Sequence, residues 1–342
     1  MVDILPEWDL ERAELLGRRI SELGLVIDGS RVERLVARLH DELRERGIAF
    51  RPPVYLSDQW GCPDGTPVIG VPFYLADARL ERIEAEHAGT IESDEEAMRY
   101  LRHEAGHAVN YAFRLYERPE FAALFGDYAR PYDEHYRADP LSRDHVRHIL
   151  GWYAQKHPDE DFAETFAVWL TPELDWRTEY AGWGALRKLT WMDEIMGEIA
   201  LFAPEAPSPA HDDLPVESMN WTLAEHYAED ERLPVGDARQ FDRDLRRVFA
   251  TATDASAGEP ASGFLRRHEG ELVARISYWA GVAPSAVRSL VRALADRTAT
   301  LDLRVTGLEA ATLIELTAFG TAVTMHWRYT QVRSGSGPAV TR

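Results

Sequence analysis

Residues 102–113 read Arg-His-Glu-Ala-Gly-His-Ala-Val-Asn-Tyr-Ala-Phe. This stretch contains two histidines four residues apart, with a glutamate directly after the first. Residues four apart on an α-helix lie one above the other, so His103 and His107 can place imidazole nitrogens on one metal ion. Glu104 lies one residue further round the turn, where it can accept a proton from a water molecule at the open position of such an ion. The stretch therefore predicts a helical metal site with its own base.

The sequence around the motif is typical of an amphipathic helix. Ser93 and Glu96 form a capping-box pattern, and no proline interrupts the chain from there to Tyr116. Apolar residues recur at three- and four-residue spacing, namely Met98, Leu101, Ala105, Ala108, Ala112 and Leu115. We expect one helix of about 22 residues. Gly106 is unfavourable inside a helix and indicates that something passes close to the backbone beside the metal.

A third metal ligand is expected from a second helix. Residues 157–172 read His-Pro-Asp-Glu-Asp-Phe-Ala-Glu-Thr-Phe-Ala-Val-Trp-Leu-Thr-Pro, with Pro158 at the first helical position and acidic residues in the first turn. With about 100° between successive residues, Glu160 and Glu164 share one flank of this helix, whereas Asp161 points away. One of the two glutamates is therefore the candidate ligand.

Glu164 is the preferred third ligand, because a carboxylate that binds metal is partly buried and Glu164 has small and apolar neighbours along the helix. Glu160, one turn earlier, is the alternative. It serves either as the ligand itself or as a partner that orients a ligating histidine.

These two segments resemble the zincin metallopeptidases of the gluzincin type, and most closely a bacterial family of zinc-binding metallopeptidases. The resemblance covers roughly residues 60–200. It implies that His103, His107 and Glu164 bind Zn²⁺ and that Glu104 is the catalytic base. Many gluzincins carry an Asp four residues after the ligand Glu, where this chain has Val168. The orienting carboxylate is therefore expected from Glu160 or Asp161.

The resemblance implies a zinc-dependent hydrolase that cleaves peptide bonds with a water molecule activated by Glu104. Such enzymes also use a Tyr or His that donates a hydrogen bond to the developing oxyanion. The candidates between the two segments are Tyr132, Tyr136, His145, His148 and Tyr153. Tyr153 and His148 are preferred, because they are closest in sequence to Glu164.

Two other functions remain open at this point. The same metal chemistry could hydrolyse a non-peptide amide, since a zinc site does not by itself select the acyl group. The chain could also be a non-catalytic or inactive helical binding protein, in which the histidine motif is coincidental or has lost its activity.

A small sheet is expected before the motif helix. Residues 66–76 are apolar and β-branched, and Pro72 within them is compatible with an edge strand only. Its partner strand is expected at 48–56. An edge strand near the metal could receive a peptide substrate by strand addition, or it could be a plain structural edge that proline protects from aggregation.

Composition restricts the partners and the compartment. The 342 residues include 58 acidic and 38 basic side chains, and the net charge of -20 disfavours nucleic acid and anionic membranes as partners. No apolar run reaches the roughly 18 residues of a membrane span. Cys62 is the only cysteine, which excludes an intrachain disulfide, and the first residues lack a signal-peptide pattern. We expect a cytoplasmic protein that acts on a peptide or protein substrate.

The expected fold class is α+β and mostly helical, with a zincin-like catalytic core, a small β-sheet and a C-terminal helical lobe. Residues 1–202 would form the catalytic domain, 203–216 a linker, 217–332 the helical lobe and 333–342 a disordered tail. The sequence further predicts loops at 118–140 and 251–263. It predicts helices at 9–23, 30–46, 176–200, 237–250, 264–280, 284–297 and 308–329.

Overall fold

The structure, a computed structural model, describes residues 7–88, 91–132, 136–200, 214–228, 238–251, 258–282 and 284–334. It is mostly helical with two small sheets, which confirms the α+β class. None of the described helices is both long and apolar enough to cross a lipid bilayer.

The chain divides into two compact units. The first comprises the residues up to Ile83 together with Glu92 to His226, and the second comprises Glu84 to Ile91 and the residues from Tyr227 onward. The change of unit therefore falls after His226, later in the chain than the expected linker. Most of that linker, 203–213, and the end of the expected tail, 335–342, lie outside the described residues.

Two helices open the first unit. α1 spans Glu7–Gly17 and α2 spans Arg31–Glu45. The Ser30 hydroxyl accepts hydrogen bonds from the first backbone amides of α2, so the predicted cap is confirmed. α1 ends earlier than expected because Ile20 and Ser21 donate their backbone N–H groups to residues 221 and 219 instead of continuing the helix.

The first sheet has two parallel strands, β1 at Val54–Ser57 and β2 at Ile69–Pro72, with Val54 opposite Ile69. Both strands lie in or at the edge of the predicted segments. On the other side of β2, Gly70 exchanges backbone hydrogen bonds with Gly61, at N···O distances of 2.7 and 3.2 Å. All four residues of β2 are buried, so the predicted addition of a peptide strand to β2 does not fit this pairing.

α3 at Ala78–Ala88 has no counterpart in the sequence prediction, because only two of its side chains, Leu80 and Ile83, are buried. A short helix, α5 at Pro119–Phe125, likewise interrupts the stretch expected as a loop. Both are marked too weakly by apolar spacing to be recognised in isolation.

The motif helix is α4, which spans Asp94–Ala112 and is capped by the predicted box of Ser93 and Glu96. With 19 residues it ends about three residues earlier than expected, because Arg114 adopts a left-handed conformation with φ 49°. Every residue of α4 from Leu101 onward is buried. Arg102, next to the motif, makes a buried two-pronged ion pair with Glu42 of α2, with N···O distances of 2.7 and 2.8 Å.

The second predicted helix is α6, which spans Pro158–Leu170, and all 13 of its residues are buried. α6 packs closely on α4 at Gly106, where a Cβ atom would lie 2.8 Å from the Cα of Ala163. The predicted close approach at Gly106 is therefore made by the backbone of α6. α7 at Trp176–Glu179 and α8 at Ala185–Ile199 fill the expected segment 176–200.

The remaining helices lie after residue 222, and α9, at Leu223–Ala228, crosses the change of unit. The second unit then contains α10 at Asp242–Val248, α11 at Ala261–Arg267, α12 at Glu269–Ala280, α13 at Pro284–Thr300 and α14 at Glu309–Ser334. The predicted helix 264–280 is divided between α11 and α12 at His268, and α11 begins inside the predicted loop. Two short antiparallel strands, β3 at Ala250–Thr251 and β4 at Leu303–Arg304, pair the segment after α10 with the segment after α13.

Candidate metal centre

α4 and α6 bring three donor atoms together in the interior of the first unit. The Nε2 atom of His103 lies 3.0 Å from Oε2 of Glu160, and Nε2 of His107 lies 3.2 Å from the same oxygen. The two Nε2 atoms are 3.2 Å apart. All three side chains are buried, and they form the one group of His, Cys, Asp or Glu residues suited to a metal in the described part of the chain.

The other nitrogen of each histidine is held by a second carboxylate. Nδ1 of His103 lies 2.9 Å from Oε1 of Glu164, and Nδ1 of His107 lies 2.9 Å from Oδ2 of Asp159. Ionised carboxylates only accept hydrogen bonds, so each Nδ1 carries the donated proton. When the imidazoles are neutral, as metal binding requires, both Nε2 atoms therefore carry lone pairs that point toward Glu160.

This arrangement fits a bound zinc ion. Two imidazole nitrogens and a carboxylate oxygen 3.0 to 3.2 Å apart need positive charge among them, which protons on the imidazoles or a bound metal ion supply. With zinc bonds of 2.0–2.1 Å in a tetrahedron, neighbouring donors lie about 3.3 Å apart. Nitrogen and carboxylate oxygen donors with carboxylate partners behind the imidazoles are also the ligand chemistry that zinc prefers.

The electrostatics of the site favour positive charge. Burial alone lowers the pKa of His103, but hydrogen bonds to Glu160 and Glu164 outweigh it and raise that pKa to about 9. Burial also acts on His107, and the charges of Asp159 and Glu160 raise its pKa well above the ordinary value. The pKa of Glu160 is lowered despite its burial, because both imidazoles face it. The cluster thus attracts a cation to its centre.

Glu104 lies beside the donors without being tied to a partner. Its carboxylate makes no hydrogen bond to any residue that the structure describes, although the side chain is only 7% exposed. Burial raises the pKa of Glu104, and the neighbouring His103 and His107 partly offset this rise. A buried carboxylate with unused acceptor capacity next to a metal site has the properties of a general base.

The structure places the predicted ligand Glu164 and the alternative ligand Glu160 at different nitrogens of the histidines. Glu164 does not join the two Nε2 atoms: its Oε1 faces Nδ1 of His103, and its Oε2 accepts the backbone N–H groups of His148 and Ile149 at 3.2 and 2.8 Å. Glu160 occupies the position next to the Nε2 atoms instead. The reason is axial: the first turn of α6 meets the metal side of the histidines, and Glu164 lies one turn, about 5.4 Å, further along.

The two acids expected to orient a ligand, Glu160 and Asp161, have different contacts. Asp161 is bound by the ammonium of Lys188, with a Nζ···Oδ2 distance of 2.6 Å, and touches neither ligating histidine. When Glu160 is taken as the ligand, the acid expected four residues later is Glu164.

Asp159 contacts the centre, although the sequence does not distinguish it from the other acids of the first turn of α6, which complement the helix dipole. In the structure its Oδ2 lies 2.9 Å from Nδ1 of His107, whereas Nε2 of that ring faces Glu160. The spacing of Asn110 and Tyr111, three and four residues after His107, was the available signal, because both side chains also reach Asp159.

The two candidate oxyanion donors have different environments. The ring of Tyr153 lies 5.6 Å from the ring of His103, and burial, followed by the charges of Glu160 and Glu104, raises the pKa of its hydroxyl well above the ordinary value. Tyr153 is therefore a neutral O–H donor beside the centre. The ring of His148 donates from Nε2 to the carbonyl of Arg99 at 2.9 Å, and burial lowers its pKa to about 4.

The other aromatic and histidine candidates have structural contacts of their own. The Tyr136 hydroxyl donates to the carbonyl of Gly151 at 2.8 Å, and His145 packs near Asp161. Tyr132 reaches Asp159 with its hydroxyl at 3.3 Å. Of the two preferred donors, the structure thus brings the side chain of Tyr153 to the centre, whereas His148 contributes its backbone N–H to Glu164.

Comparison with known proteins agrees with this site. Residues 78–181 match the model of a family described as "Putative zinc-binding metallo-peptidase". The match includes α4 and α6, so it contains all the side chains that surround the centre. The resemblance to such a family, expected from the sequence, is confirmed over this range. No curated protein and no solved structure matches the chain significantly.

Proposed function

We propose that this chain is a zinc-dependent hydrolase of the metallopeptidase type, with a zincin-like arrangement in which His103, His107 and Glu160 bind the metal. The observation that carries the proposal is the convergence of two Nε2 atoms and one carboxylate oxygen within 3.2 Å of one another. A carboxylate behind each imidazole supports it, because such partners fix the tautomer that metal binding needs. The match to a zinc-binding metallopeptidase family supports peptide bonds as the target.

When bound, zinc held by three protein groups lowers the pKa of a water molecule to about 7 and polarises a carbonyl group. Glu104 accepts the proton of the attacking water and returns it to the leaving amine, so that it serves first as a base and then as an acid. Its lack of other hydrogen-bond partners among the described residues leaves it available for both transfers.

Tyr153 donates a hydrogen bond to the oxygen of the carbonyl under attack. Its hydroxyl stays protonated at neutral pH, because burial and the charges of Glu160 and Glu104 raise its pKa. Donors of this kind stabilise negative charge that develops only in the transition state, which is why they accelerate the chemical step.

Metal content and one substitution test this proposal together. The protein purified from zinc-supplemented cells is expected to hold about one equivalent of zinc by elemental analysis. Glu104→Gln is expected to retain that zinc and to lose about 10²- to 10⁴-fold in turnover on a peptide library. Glu95→Gln, an exposed site on the same helix, is the matched control and is expected to behave as wild type.

Each contrary outcome identifies one of the alternatives. Less than about a tenth of an equivalent of zinc would support a non-catalytic binding protein. Zinc with turnover of non-peptide amides and none of peptides would support an amidohydrolase. Retained turnover in Glu104→Gln would remove Glu104 as the base. The cytoplasmic location expected from the sequence stays a prediction, which fractionation of cells that make the protein would check.

A further inference from the structure

The carboxylate of Asp159 is the most heavily bonded acid around the centre. Its Oδ2 accepts Nδ1–H of His107 at 2.9 Å, the hydroxyl of Tyr111 at 2.5 Å and the hydroxyl of Tyr132 at 3.3 Å. Its Oδ1 accepts the side-chain amide of Asn110 at 2.8 Å. Three of these four donors therefore converge on Oδ2, and one reaches Oδ1.

The hydrogen bonds limit what Asp159 can do. Because three donors already face Oδ2, this oxygen has no lone pair free for a metal ion or for a substrate proton. It is 1% exposed, so solvent does not compete for these bonds. Its remaining action is on the groups that donate to it, and among these His107 is the one that contributes an Nε2 atom to the centre.

We propose that Asp159 is a positioning residue for the metal centre: it fixes the tautomer and the ring orientation of His107, so that Nε2 is presented to the metal as a lone pair. This inference rests on the proposed function, because it takes His107 as a ligand. Asn110 and Tyr111 extend the arrangement. They come from the same face of α4 as His107 and hold the carboxylate against that helix.

The two halves of the site are positioned by different means. Glu164, behind His103, is held by two backbone N–H groups of the irregular segment around His148, and by no other side chain apart from His103 within the described residues. Asp159 is instead held by side chains, one of which, Tyr132, is 45% exposed. The hydrogen bonds that hold Asp159 behind His107 can therefore be removed one at a time by substitution of these side chains.

Asn110 allows Asp159→Asn to remove the charge of Asp159 without leaving the new amide unpaired. Its side-chain oxygen is buried and has no hydrogen-bond partner among the described residues, since its amide nitrogen is directed at Asp159. In Asp159→Asn, rotation of the Asn110 amide by 180° would offer that oxygen to the new NH₂ group. The variant keeps the shape and the hydrogen bond to His107 but removes the charge, whereas Asp159→Ala removes both.

The test measures zinc affinity by competition with a chromophoric chelator, with cobalt(II) absorption as a reporter of ligand geometry. Loss of such a partner weakens metal binding by about 10- to 100-fold. Asp159→Ala is expected to lie near the upper end of this range and Asp159→Asn near the lower end. The cobalt(II) spectrum should change in Asp159→Ala and stay close to wild type in Asp159→Asn. A role in packing alone would not order the variants in this way.

The matched control is Asp193→Asn, whose carboxylate accepts from Trp169 and Arg177 and touches no residue of the centre. It is expected to bind zinc as wild type does. Should Asp159→Ala not fold, Tyr111→Phe replaces it, since it removes the shortest of the four bonds and is expected to weaken zinc several-fold.

Two results would overturn the inference in distinguishable ways. If the wild type binds zinc and the Asp159 and Tyr111 variants bind it equally tightly with unchanged cobalt(II) spectra, the positioning role fails and the proposed function stands. If the wild type binds neither metal, the proposed function fails and the inference fails with it.

Discussion

The interiors of the two units differ in what they bury. Among the described residues, the second unit packs apolar side chains of α11 to α14, and Arg288 is its one buried ionisable side chain. The first unit buries a whole series of them, which are Glu42, Arg102, His103, Glu104, His107, His157, Asp159, Glu160, Asp161, Glu164 and Lys188.

The difference indicates that the buried side chains of the two units have different roles. Burying an ionised group costs several kcal/mol unless it is paired and hydrogen-bonded, so a series of them is not a route to stability. In the first unit the cost is offset by pairing, as between Arg102 and Glu42 or Lys188 and Asp161. The imidazoles of His103 and His107 face the carboxylate of Glu160, whereas Glu104 makes no such pairing with any described residue, which agrees with the role of base proposed for it.

The largest expected effect distinguishes the two glutamates of α6. Glu160→Ala removes a ligand and should weaken zinc binding by more than about 100-fold, beyond the 10- to 100-fold expected for loss of an orienting partner. Glu164→Gln should stay within that smaller range. Chelator competition measures both, and a larger loss in Glu164→Gln would restore Glu164 as the ligand.

A truncation in the apolar interior should show the reverse behaviour. Leu290 on α13 is 1% exposed, and Leu290→Ala is expected to cost about 2–5 kcal/mol in the free energy of unfolding through the cavity that it leaves. Zinc content should be unchanged. Denaturant titration and elemental analysis check this together, and loss of zinc from a folded variant would contradict the separation of roles.

Removal of the metal should destabilise the interior of the first unit and leave that of the second unit unchanged. At a free zinc concentration 100-fold above its dissociation constant, binding stabilises the protein by about 2.7 kcal/mol, which chelation removes. Amide hydrogen exchange is expected to become faster in α4 and α6 and to stay the same in α12 and α13. Equal acceleration in all four helices would contradict this prediction.

A smaller effect is expected where α4 and α6 touch. Gly106→Ala places a Cβ atom 2.8 Å from the Cα of Ala163, so the helices must separate at a cost of about 1–3 kcal/mol and zinc affinity should fall. Gly197→Ala is the matched control, because nothing lies within 4 Å of its added Cβ in α8. That variant should gain about 0.5–1 kcal/mol. Unchanged zinc affinity in Gly106→Ala would show that the contact does not set the site.

The smallest effect concerns the cap of the motif helix. Ser93→Ala removes the hydroxyl that accepts from the backbone N–H of Glu96 at 3.2 Å, and about 1 kcal/mol of stability with it. The cap lies more than two turns before His103, so zinc affinity is expected to be unchanged. Thermal unfolding and chelator competition measure the two quantities, and a loss of affinity would indicate that the whole helix depends on its first turn.

Local features were the reliable part of the sequence prediction. The caps at Ser30 and Ser93 and the motif histidines were recognised because each depends on residues within one or two turns of the same helix. α3 and α5 were missed, since few of their side chains are buried and their apolar spacing is weak. The early end of α4 depends on the left-handed conformation of Arg114, for which the chain offers no glycine as a signal.

The sequence by itself determined that two imidazoles and a free carboxylate lie together on one helix, because the geometry of an α-helix fixes positions one turn apart. It also limited the third ligand to one flank of a second helix. Only the tertiary structure decided between Glu160 and Glu164 and revealed Asp159 behind His107. Which glutamate faces the Nε2 atoms depends on the position of α6 along α4, and these helices meet at Gly106 and Ala163, residues 57 positions apart in the chain.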